Sequence, residues 1–243
     1  MKEPLLLIPG LLSDARIFLP QIVHLGATHP LHIALPTGGD SVEQMAEAIL
    51  ATAPPTFAVI GHGLGGDVAL DILRRENGRA TRAVLISTDP LAEPPATAAA
   101  REARMVAAKA GRLREVVGQE YPDACLAPSE WTADIAALLR DMALTLGEGA
   151  FLRQSRALQR RPDQQKTLRR AKMPLLFLAG AEDTLVPVRR QDFAAQLAPY
   201  GTLQVIDGAG HLPTLEQPEA VTAAIEAFLN GPMMLRTIAK PRG

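Results

Sequence analysis

The stretch that decides the fold is residues 57–70, which read FAVIGHGLGGDVAL. An apolar run ends in a cluster of glycines, and an apolar segment with helical periodicity follows at once, which predicts a strand, a tight turn and a helix. Two kinds of site use such a turn. As G-x-G-x-x-G, starting at Gly61, it can hold a dinucleotide pyrophosphate at a helix N-terminus. As G-H-x-x-G-G, it is the sharp turn that presents a nucleophile, with Gly63 at the nucleophile position.

The rest of the chain predicts five more strands, each a short apolar run. These runs are residues 5–8, 31–35, 83–86, 175–180 and 203–206. Helical patterns lie between them, at about residues 15–25, 42–50, 68–76, 188–197 and 218–229. Strands that alternate with helices require crossover connections. We therefore expect an α/β fold with a mostly parallel, six-stranded twisted sheet flanked by helices.

One long interval, residues 93–170, contains helical patterns and no predicted strand. It could be a surface extension of helices, or a lid at the carboxyl edge of the sheet, where open α/β sheets bind their ligands. We favour the lid, because the interval interrupts the chain where the carboxyl end of a strand faces the crevice. The expected organisation is a core of residues 1–92 and 171–243, with a helical lid of residues 93–170 inserted in it.

Composition restricts the class of protein. The chain has 243 residues and a formal charge of −1, which gives no reason to expect a nucleic acid or an anionic membrane as partner. Its single cysteine, Cys125, cannot form an internal disulfide and fits a reducing compartment. The apolar run near the N-terminus is too short for a signal peptide or a membrane span. We expect a cytoplasmic protein that acts on a small molecule, with its oligomeric state open.

Polar residues after later strands discriminate between the two kinds of site. Dinucleotide binding requires an acidic residue after the next strand, and Asp89 is at that position. The glycine fingerprint of such proteins usually opens its domain, however, and here two complete β/α units precede the glycine turn. The nucleophile turn requires an acid after a late strand and a histidine after the last one. Asp183 and His211 occupy these two positions in the required order. We therefore favour the nucleophile turn and expect neither a cofactor nor a metal.

With these residues the chain resembles the α/β-hydrolase superfamily, in the small lid-bearing branch of esterases, thioesterase-like enzymes and carbon–carbon bond hydrolases. The glycine turn, GAEDTLVP at 180–187 and GAGH at 208–211 carry the resemblance, which extends from Pro9 to the final helix. It implies the α/β-hydrolase fold and an oxyanion hole built from the backbone N–H groups of Leu11 and Leu64. The loop after the first strand reads Pro9-Gly10 where the family normally has His-Gly.

Gly63 is the departure with chemical consequences, since the superfamily has a serine there. A glycine cannot form an acyl-enzyme, and loss of such a nucleophile costs on the order of 10⁶ in turnover. We expect His62 to be a packing or hydrogen-bonding residue and Cys125 to be inert. Ser13 and Ser87 lie near the carboxyl edge, but neither is favoured as a nucleophile. Ser13 or Asp14 can cap the helix of residues 15–25, and we favour Ser13 for this role.

What remains is a His211–Asp183 dyad, which can activate water or remove a proton from the substrate. Three hypotheses stay open. The chain is an esterase whose serine was replaced, naturally or by engineering; a native enzyme of non-covalent chemistry, such as a lyase, a proton-transfer enzyme or a water-activating hydrolase; or a catalytically silent ligand-binding protein on the same fold.

The expected substrate is a small, largely apolar molecule that contains an ester or another carbonyl group. In the interval of residues 93–170, Trp131, Phe151 and Leu152 are candidates to line an apolar pocket, and Arg153 or Arg156 could bind a carboxylate. The alternative for each of these residues is packing within the lid or a solvated face.

Overall fold

The computed structural model describes residues 2–75 and 78–232. Within these ranges six strands, all parallel, form one sheet in the order β2-β1-β3-β4-β5-β6. The strands are β1 (Leu5–Ile8), β2 (Leu31–Ile33), β3 (Phe57–His62), β4 (Ala80–Ile86), β5 (Leu175–Gly180) and β6 (Gly201–Ile206). The prediction of a six-stranded parallel sheet is confirmed.

Ten helices connect or follow these strands in the described part of the chain. They are α1 (Leu19–Leu25), α2 (Val42–Leu50), α3 (Leu64–Arg75), α4 (Pro95–Lys109), α5 (Leu113–Glu120), α6 (Thr132–Gln159), α7 (Gln165–Arg170), α8 (Val188–Leu197), α9 (Pro213–Glu216) and α10 (Pro218–Leu229). The helix after the glycine turn was expected to end near residue 76, and Glu76 and Asn77 lie outside the described residues. None of the described helices is long and apolar enough to cross a membrane.

The centre of the sheet is apolar on both faces. Every residue of β1, β3 and β5 is buried, as expected for parallel strands covered by helices on both sides. The buried apolar residues of these strands and of α3 belong to one continuous core. This core holds the carboxyl ends of the central strands in place, so the loops that follow them start from a rigid base.

Strand β4 begins three residues before the predicted start. The prediction was too short because Thr81 and Arg82 are polar and interrupt the apolar run that indicates a strand. Arg82 is buried, and its Nη1 donates to the backbone carbonyls of Phe228 and Leu229 at 2.8 and 2.9 Å. These bonds, together with the Glu3 carboxylate 3.3 Å from Nε, offset part of the cost of burying the guanidinium. A charged residue in the sequence therefore occupies a core position of the strand.

The helix expected at residues 15–25 is divided. Residues Ala15–Phe18 form a 3-10 turn, and α1 follows with Pro20 in its first turn. The side chain of Asp14 accepts from the backbone N–H of Arg16 and caps the turn. Of the two residues that could cap this helix, Asp14 therefore does so. The preference for Ser13 is wrong, since the Ser13 hydroxyl donates to the carbonyl of Leu11 at 3.0 Å.

The interval between β4 and β5 is helical, with α4, α5, α6, α7 and a 3-10 turn at Asp123–Cys125. The long helix α6 is kinked at Gly147, which has φ of +78° and ψ of 174°. Helices α4 and α5 pack against each other and both contact α6. These helices contribute several side chains to the region above the carboxyl edge of the sheet.

Candidate active site

The glycine turn is a strand-to-helix turn of the sharpest kind. Strand β3 ends at His62, α3 begins at Leu64, and Gly63 alone connects them with φ of +50°. Its backbone N–H donates to the carbonyl of Ile86 at 2.9 Å, and its own carbonyl accepts from Gly66 at 2.9 Å. The left-handed conformation is easy for glycine and strained for other residues. Gly63 therefore stands at the tip of the turn, at the carboxyl edge of the sheet.

Close packing explains another glycine of this turn. A Cβ atom on Gly65 would collide with the carbonyl oxygen of Ile8 at the end of β1. The first turn of α3 can lie against the neighbouring strand only because this position carries no side chain.

Asp183 and His211, both predicted from the sequence, are in contact. The Nδ1 atom of His211 lies 2.9 Å and 3.1 Å from the two carboxylate oxygens of Asp183. Oδ1 of Asp183 also accepts from the backbone N–H groups of Leu185 and Val186, each at 2.9 Å. Burial by itself would raise the pKa of Asp183, but the His211 ring and these two donors hold the pKa below its usual range. The carboxylate is therefore ionised and orients the imidazole, with the proton on Nδ1.

The other ring nitrogen of His211 faces Gly63. A Cβ atom placed on Gly63 would lie 4.0 Å from Nε2 of His211 and 4.0 Å from the Cα atom of Gly10. Both distances are ordinary van der Waals contacts, so there is room at this position for a small polar group. An oxygen between the Gly63 Cα atom and His211 would be within hydrogen-bonding reach of Nε2.

His62 lies behind the turn and is fully buried. Its Nε2 is 2.8 Å from the carbonyl oxygen of His211, so Nε2 carries the proton and donates. Burial, together with the neighbouring His211 ring, lowers the pKa of His62 to about 3. The prediction that His62 is a hydrogen-bonding residue beside the turn is confirmed, and the bond fixes the backbone of His211.

Two further groups, neither found from the sequence, hold the histidine loop. The carboxylate of Glu216 accepts from the backbone N–H groups of Gly210 at 2.9 Å, Leu212 at 2.8 Å and Ala127 at 2.7 Å. The backbone N–H of His211 donates to the carbonyl of Cys125 at 2.7 Å. A glutamate six residues after a loop glycine, as Glu216 is after Gly210, is too common a pattern to indicate such a set of contacts.

The thiol of Cys125 is buried, and burial raises its pKa to about 12. A thiol with such a pKa is protonated at neutral pH and is a poor nucleophile. This agrees with the expectation that Cys125 is inert.

The loop after β1 places Leu11 beside the turn. The carbonyl of Leu11 accepts from the Tyr121 hydroxyl at 2.6 Å, in addition to Ser13. The next residue, Leu12, has φ of +54°, and its N–H donates to Oε1 of Gln154 at 2.9 Å. Because its carbonyl is held in this way, the peptide unit of Leu11 has a defined orientation. Leu11, Gly63 and His211 all line one cavity.

That cavity has a volume of about 280 Å³. Its charged wall residues are Asp67, Asp89, Glu93, Arg101, Arg104, Glu120 and Arg161. Leu11, Leu64, Leu158, Leu185 and Val186 contribute the apolar part of the wall. The walls are thus more polar than the sequence suggests.

None of the five residues of the 93–170 interval that were candidates to bind substrate, Trp131, Phe151, Leu152, Arg153 and Arg156, lines this cavity. Trp131 is 59% exposed, Phe151 is fully buried in the core, and Nε of Arg153 donates to the carbonyl of Thr37 at 3.0 Å. Residues nearer the two ends of the interval line it instead, together with Ser87, which has φ of +48°. Sequence periodicity identifies the buried face of a helix, but not which part of the helix passes over the cavity.

Among the described residues, no group of three His, Cys, Asp or Glu side chains is arranged to hold a metal ion. Asp89, the acid that dinucleotide binding would use, accepts from Arg190 at 3.0 Å and from the N–H of Leu91 at 3.1 Å. The groups that meet at Gly63 are an imidazole, the ionised carboxylate that orients it, and the start of a helix. This arrangement suits proton transfer to and from an oxygen.

A turn of this kind between strand and helix, followed along the chain by an acid and then a histidine, is the order found in α/β-hydrolases. A profile described as the alpha/beta hydrolase family matches residues 5–224, and the chain belongs to this family.

Relatives and solved structures agree with this membership. A pimeloyl-[acyl-carrier protein] methyl ester esterase from Aromatoleum aromaticum is 30% identical over 219 residues, which cover 83% of this chain and 85% of the relative. A protein of the same name from Edwardsiella ictaluri is 28% identical over 244 residues, covering 95% and 94%. The resemblance to the esterase branch is therefore confirmed. Because the family and these relatives are hydrolases, the chain is an α/β-hydrolase-like enzyme.

The fold itself matches solved structures over almost its whole length. A thermophilic esterase from Thermogutta terrifontis superposes with a TM-score of 0.83 at 22% identity, covering 94% of this chain and 90% of the other. The enol-lactonase from Burkholderia xenovorans LB400 superposes with a TM-score of 0.84 at 17% identity, covering 95% and 92%. At these identities the similarity shows the α/β-hydrolase fold, as expected from the sequence.

Proposed function

We propose that this protein hydrolyses a small carboxylic ester without an acyl-enzyme intermediate, using a water molecule held over Gly63. The observation that carries the proposal is the space between Gly63 and Nε2 of His211, where an added Cβ would still be 4.0 Å from the ring. The His211–Asp183 pair beside this space is complete. Ester hydrolysis is favoured over other carbonyl chemistry because both named relatives are methyl ester esterases.

The proposed reaction has two steps. Nε2 of His211 removes a proton from the water while the water oxygen bonds to the ester carbonyl carbon, and the carbonyl oxygen becomes an oxyanion. The tetrahedral intermediate then collapses, and the alcohol leaves with the proton returned from His211. Asp183 keeps the imidazole in the correct tautomer and stabilises the imidazolium.

The oxyanion is assigned to the backbone N–H groups of Leu11 and Leu64. Leu64 is the first residue of α3, so its N–H has no partner within the helix and lies at the positive end of the helix dipole. Leu11 lines the same cavity, with its carbonyl bonded to Tyr121 and Ser13. Two such donors aimed at the developing charge are worth several kcal/mol in related reactions, about 2.7–4 kcal/mol for one donor.

We assign the helices of residues 93–170 to a lid over a core formed by residues 1–92 and 171–243. Arg101, Glu120, Tyr121 and Leu158 of this interval line the cavity together with Gly63. A cover of this kind excludes water from the site and strengthens its electrostatic interactions. Its walls would also select the substrate.

The test is hydrolysis of p-nitrophenyl acetate by the chain with Gly63 in place, compared with His211→Ala. Turnover is expected in the unaltered protein and only buffer background in His211→Ala. The matched control is His24→Ala, because His24 is an exposed histidine on α1 outside the cavity. Equal rates for the unaltered protein and His211→Ala would rule out the proposal and favour a catalytically silent binding protein on this fold.

A further inference from the structure

Arg161 lies two residues after the end of α6, and of the arginines in the cavity wall it has the longest distances to carboxylates. Its Nη1 is 3.4 Å from Oδ2 of Asp67, and its Nη2 is 3.8 Å from Oδ2 of Asp89. Its buried Nε has no hydrogen-bond partner among the described residues. The Arg161 side chain is only 13% exposed, so water replaces few of the missing contacts. A guanidinium has five N–H donors in a planar fork and usually binds carboxylates at shorter distances.

The other arginines of the wall are matched by carboxylates. Arg101 contacts Glu93 at 2.7 Å and Glu120 at 3.0 Å, and Arg104 contacts Glu120 at 3.0 Å. All three distances are those of close ion pairs.

Asp89 is also engaged elsewhere, since its Oδ2 lies 3.0 Å from Nη1 of Arg190. Of the carboxylates in the cavity, only Asp67 is left as a close partner for Arg161.

Asp67 is a weak partner for a cation. Burial raises the pKa of its carboxyl group to about 7; the charges of Asp89 and Glu93 add to this effect, and Arg161 opposes it. Near neutral pH, a large part of the Asp67 population is therefore protonated. In that state Arg161 lacks a counter-ion, and the Asp67 hydroxyl is available as a hydrogen-bond donor.

We propose that Arg161, with Asp67 beside it, forms a carboxylate-binding subsite, so that the substrate is an ester that carries a second, ionised carboxyl group. The inference rests on the proposed ester hydrolysis and names the substrate class for that site. One end of the molecule pairs with Arg161, while the reacting carbonyl lies over Gly63 in the same cavity. Since the cavity holds only about 280 Å³, the chemistry that fits is a monoester of a short dicarboxylic acid.

This subsite replaces the expectation of a largely apolar substrate. An aliphatic chain alone would leave the buried guanidinium of Arg161 short of hydrogen-bond acceptors, which is costly in a site shielded from water. A bidentate carboxylate at Arg161 supplies the missing acceptors.

The test is binding, which does not depend on turnover. The probes are the monoamide of glutaric acid, which has one free carboxylate, and the neutral diamide of the same length. By isothermal titration calorimetry at pH 6.5, the unaltered protein is expected to bind the monoamide at least about tenfold more tightly, or about 1.4 kcal/mol. Arg161→Gln is expected to bind the two probes equally.

The matched control is Arg160→Gln, because the neighbouring Arg160 is 64% exposed on its side chain and does not line the cavity. This variant is expected to keep the preference for the monoamide. Arg161→Met fills the space of the arginine stem and serves as a second variant, with folding checked by circular dichroism. Equal binding of both probes by the unaltered protein, or a preference that survives in folded Arg161→Gln or Arg161→Met, would overturn the proposal.

The two proposals can fail separately. A protein that prefers the monoamide but hydrolyses no ester retains the subsite and refutes the proposed function. A protein that hydrolyses p-nitrophenyl acetate through His211 but shows no preference between the two probes retains the function and refutes the subsite.

Discussion

Replacing Gly63 with serine should convert the site to covalent catalysis. The added Cβ would lie 4.0 Å from Nε2 of His211, with no backbone or side-chain atom closer than 4.0 Å. The hydroxyl, one bond further, can then reach the imidazole at hydrogen-bond distance. We expect Gly63→Ser to form an acyl-enzyme with p-nitrophenyl esters.

The size of the effect follows from the geometry that is already in place. In a comparable triad, losing the serine costs on the order of 10⁶ in turnover, while the oxyanion hole and binding alone retain about 10³–10⁴ over water. Since the imidazole, its carboxylate and the proposed oxyanion donors are present, Gly63→Ser should raise kcat at least about 100-fold, a barrier lower by about 2.7 kcal/mol.

The same substitution should cost stability. At φ of +50°, a residue with a Cβ atom is strained by roughly 1–2 kcal/mol relative to glycine. For a chain of this size, that lowers Tm by roughly 2–8 °C. The matched control is Gly111→Ser, because Gly111 has φ of +80°, with no atom within 4 Å of its Cβ position, and does not line the cavity.

The assay is stopped-flow release of p-nitrophenolate, followed by labelling with a fluorophosphonate and mass spectrometry. Gly63→Ser should show a burst equal to the enzyme concentration and a label on the peptide that contains position 63. Gly111→Ser should lose a similar amount of stability and show neither. A folded Gly63→Ser protein without a burst and without a higher kcat would refute the assignment of His211 and Asp183 as a poised pair.

Three other substitutions test the surroundings of the site. Asp183→Asn should lower kcat on the order of 10⁴-fold with little change in KM, because the amide favours the wrong tautomer of His211. Tyr121→Phe should cost about 1 kcal/mol of stability and several-fold in kcat, since it removes the shorter of the two hydrogen bonds that hold the peptide carbonyl of Leu11. Asp67→Asn should remove a loss of stability that the unaltered protein shows as pH rises from about 4 to 7. In that range the unfolded chain has already released the Asp67 proton, whereas the folded pKa of about 7 retains it, so deprotonation disfavours folding.

Controls use residues of the same type outside the cavity. Asp207→Asn, at an exposed position after β6, should leave kcat unchanged, and Tyr200→Phe, with 39% of the tyrosine exposed, should leave both stability and kcat unchanged. Denaturant unfolding at pH 5 and pH 8 checks Asp67, whose charged neighbours are Arg161, Asp89 and Glu93. A stability difference between Asp67→Asn and the unaltered protein that stays constant with pH would contradict the raised pKa. An Asp183→Asn variant with normal kcat would contradict the role of Asp183 in orienting His211. A Tyr121→Phe variant with unchanged kcat would contradict the role of Tyr121 in holding the peptide of Leu11.

Structural features that depend on only a few consecutive residues could be predicted from the sequence. The strand, turn and helix around Gly63 follow from an apolar run, a glycine cluster and helical periodicity, and the structure has them in that order. Asp183 and His211 were found because each follows a recognisable strand, and in a parallel sheet the carboxyl ends of strands meet at one edge. The first part of β4 was not predicted, because its arginine, which is buried in the structure, does not belong to the apolar pattern that indicates a buried strand.

The residues of the cavity wall could not be predicted from the sequence. Arg161 meets Asp67 across 94 residues, and Tyr121 meets Leu11 across 110, and no local pattern connects such pairs. Arg153, one of the two arginines predicted to bind a carboxylate, donates to a backbone carbonyl instead.

The sequence by itself thus determined the α/β class, the order of turn, acid and histidine, and the absence of a nucleophilic side chain at Gly63. The tertiary structure alone decided which charges face the cavity and how well each is paired. The physical reason is that chemistry at the end of a strand depends on local order, whereas the partner and the pKa of a buried charge such as Asp67 depend on burial and on groups from distant segments.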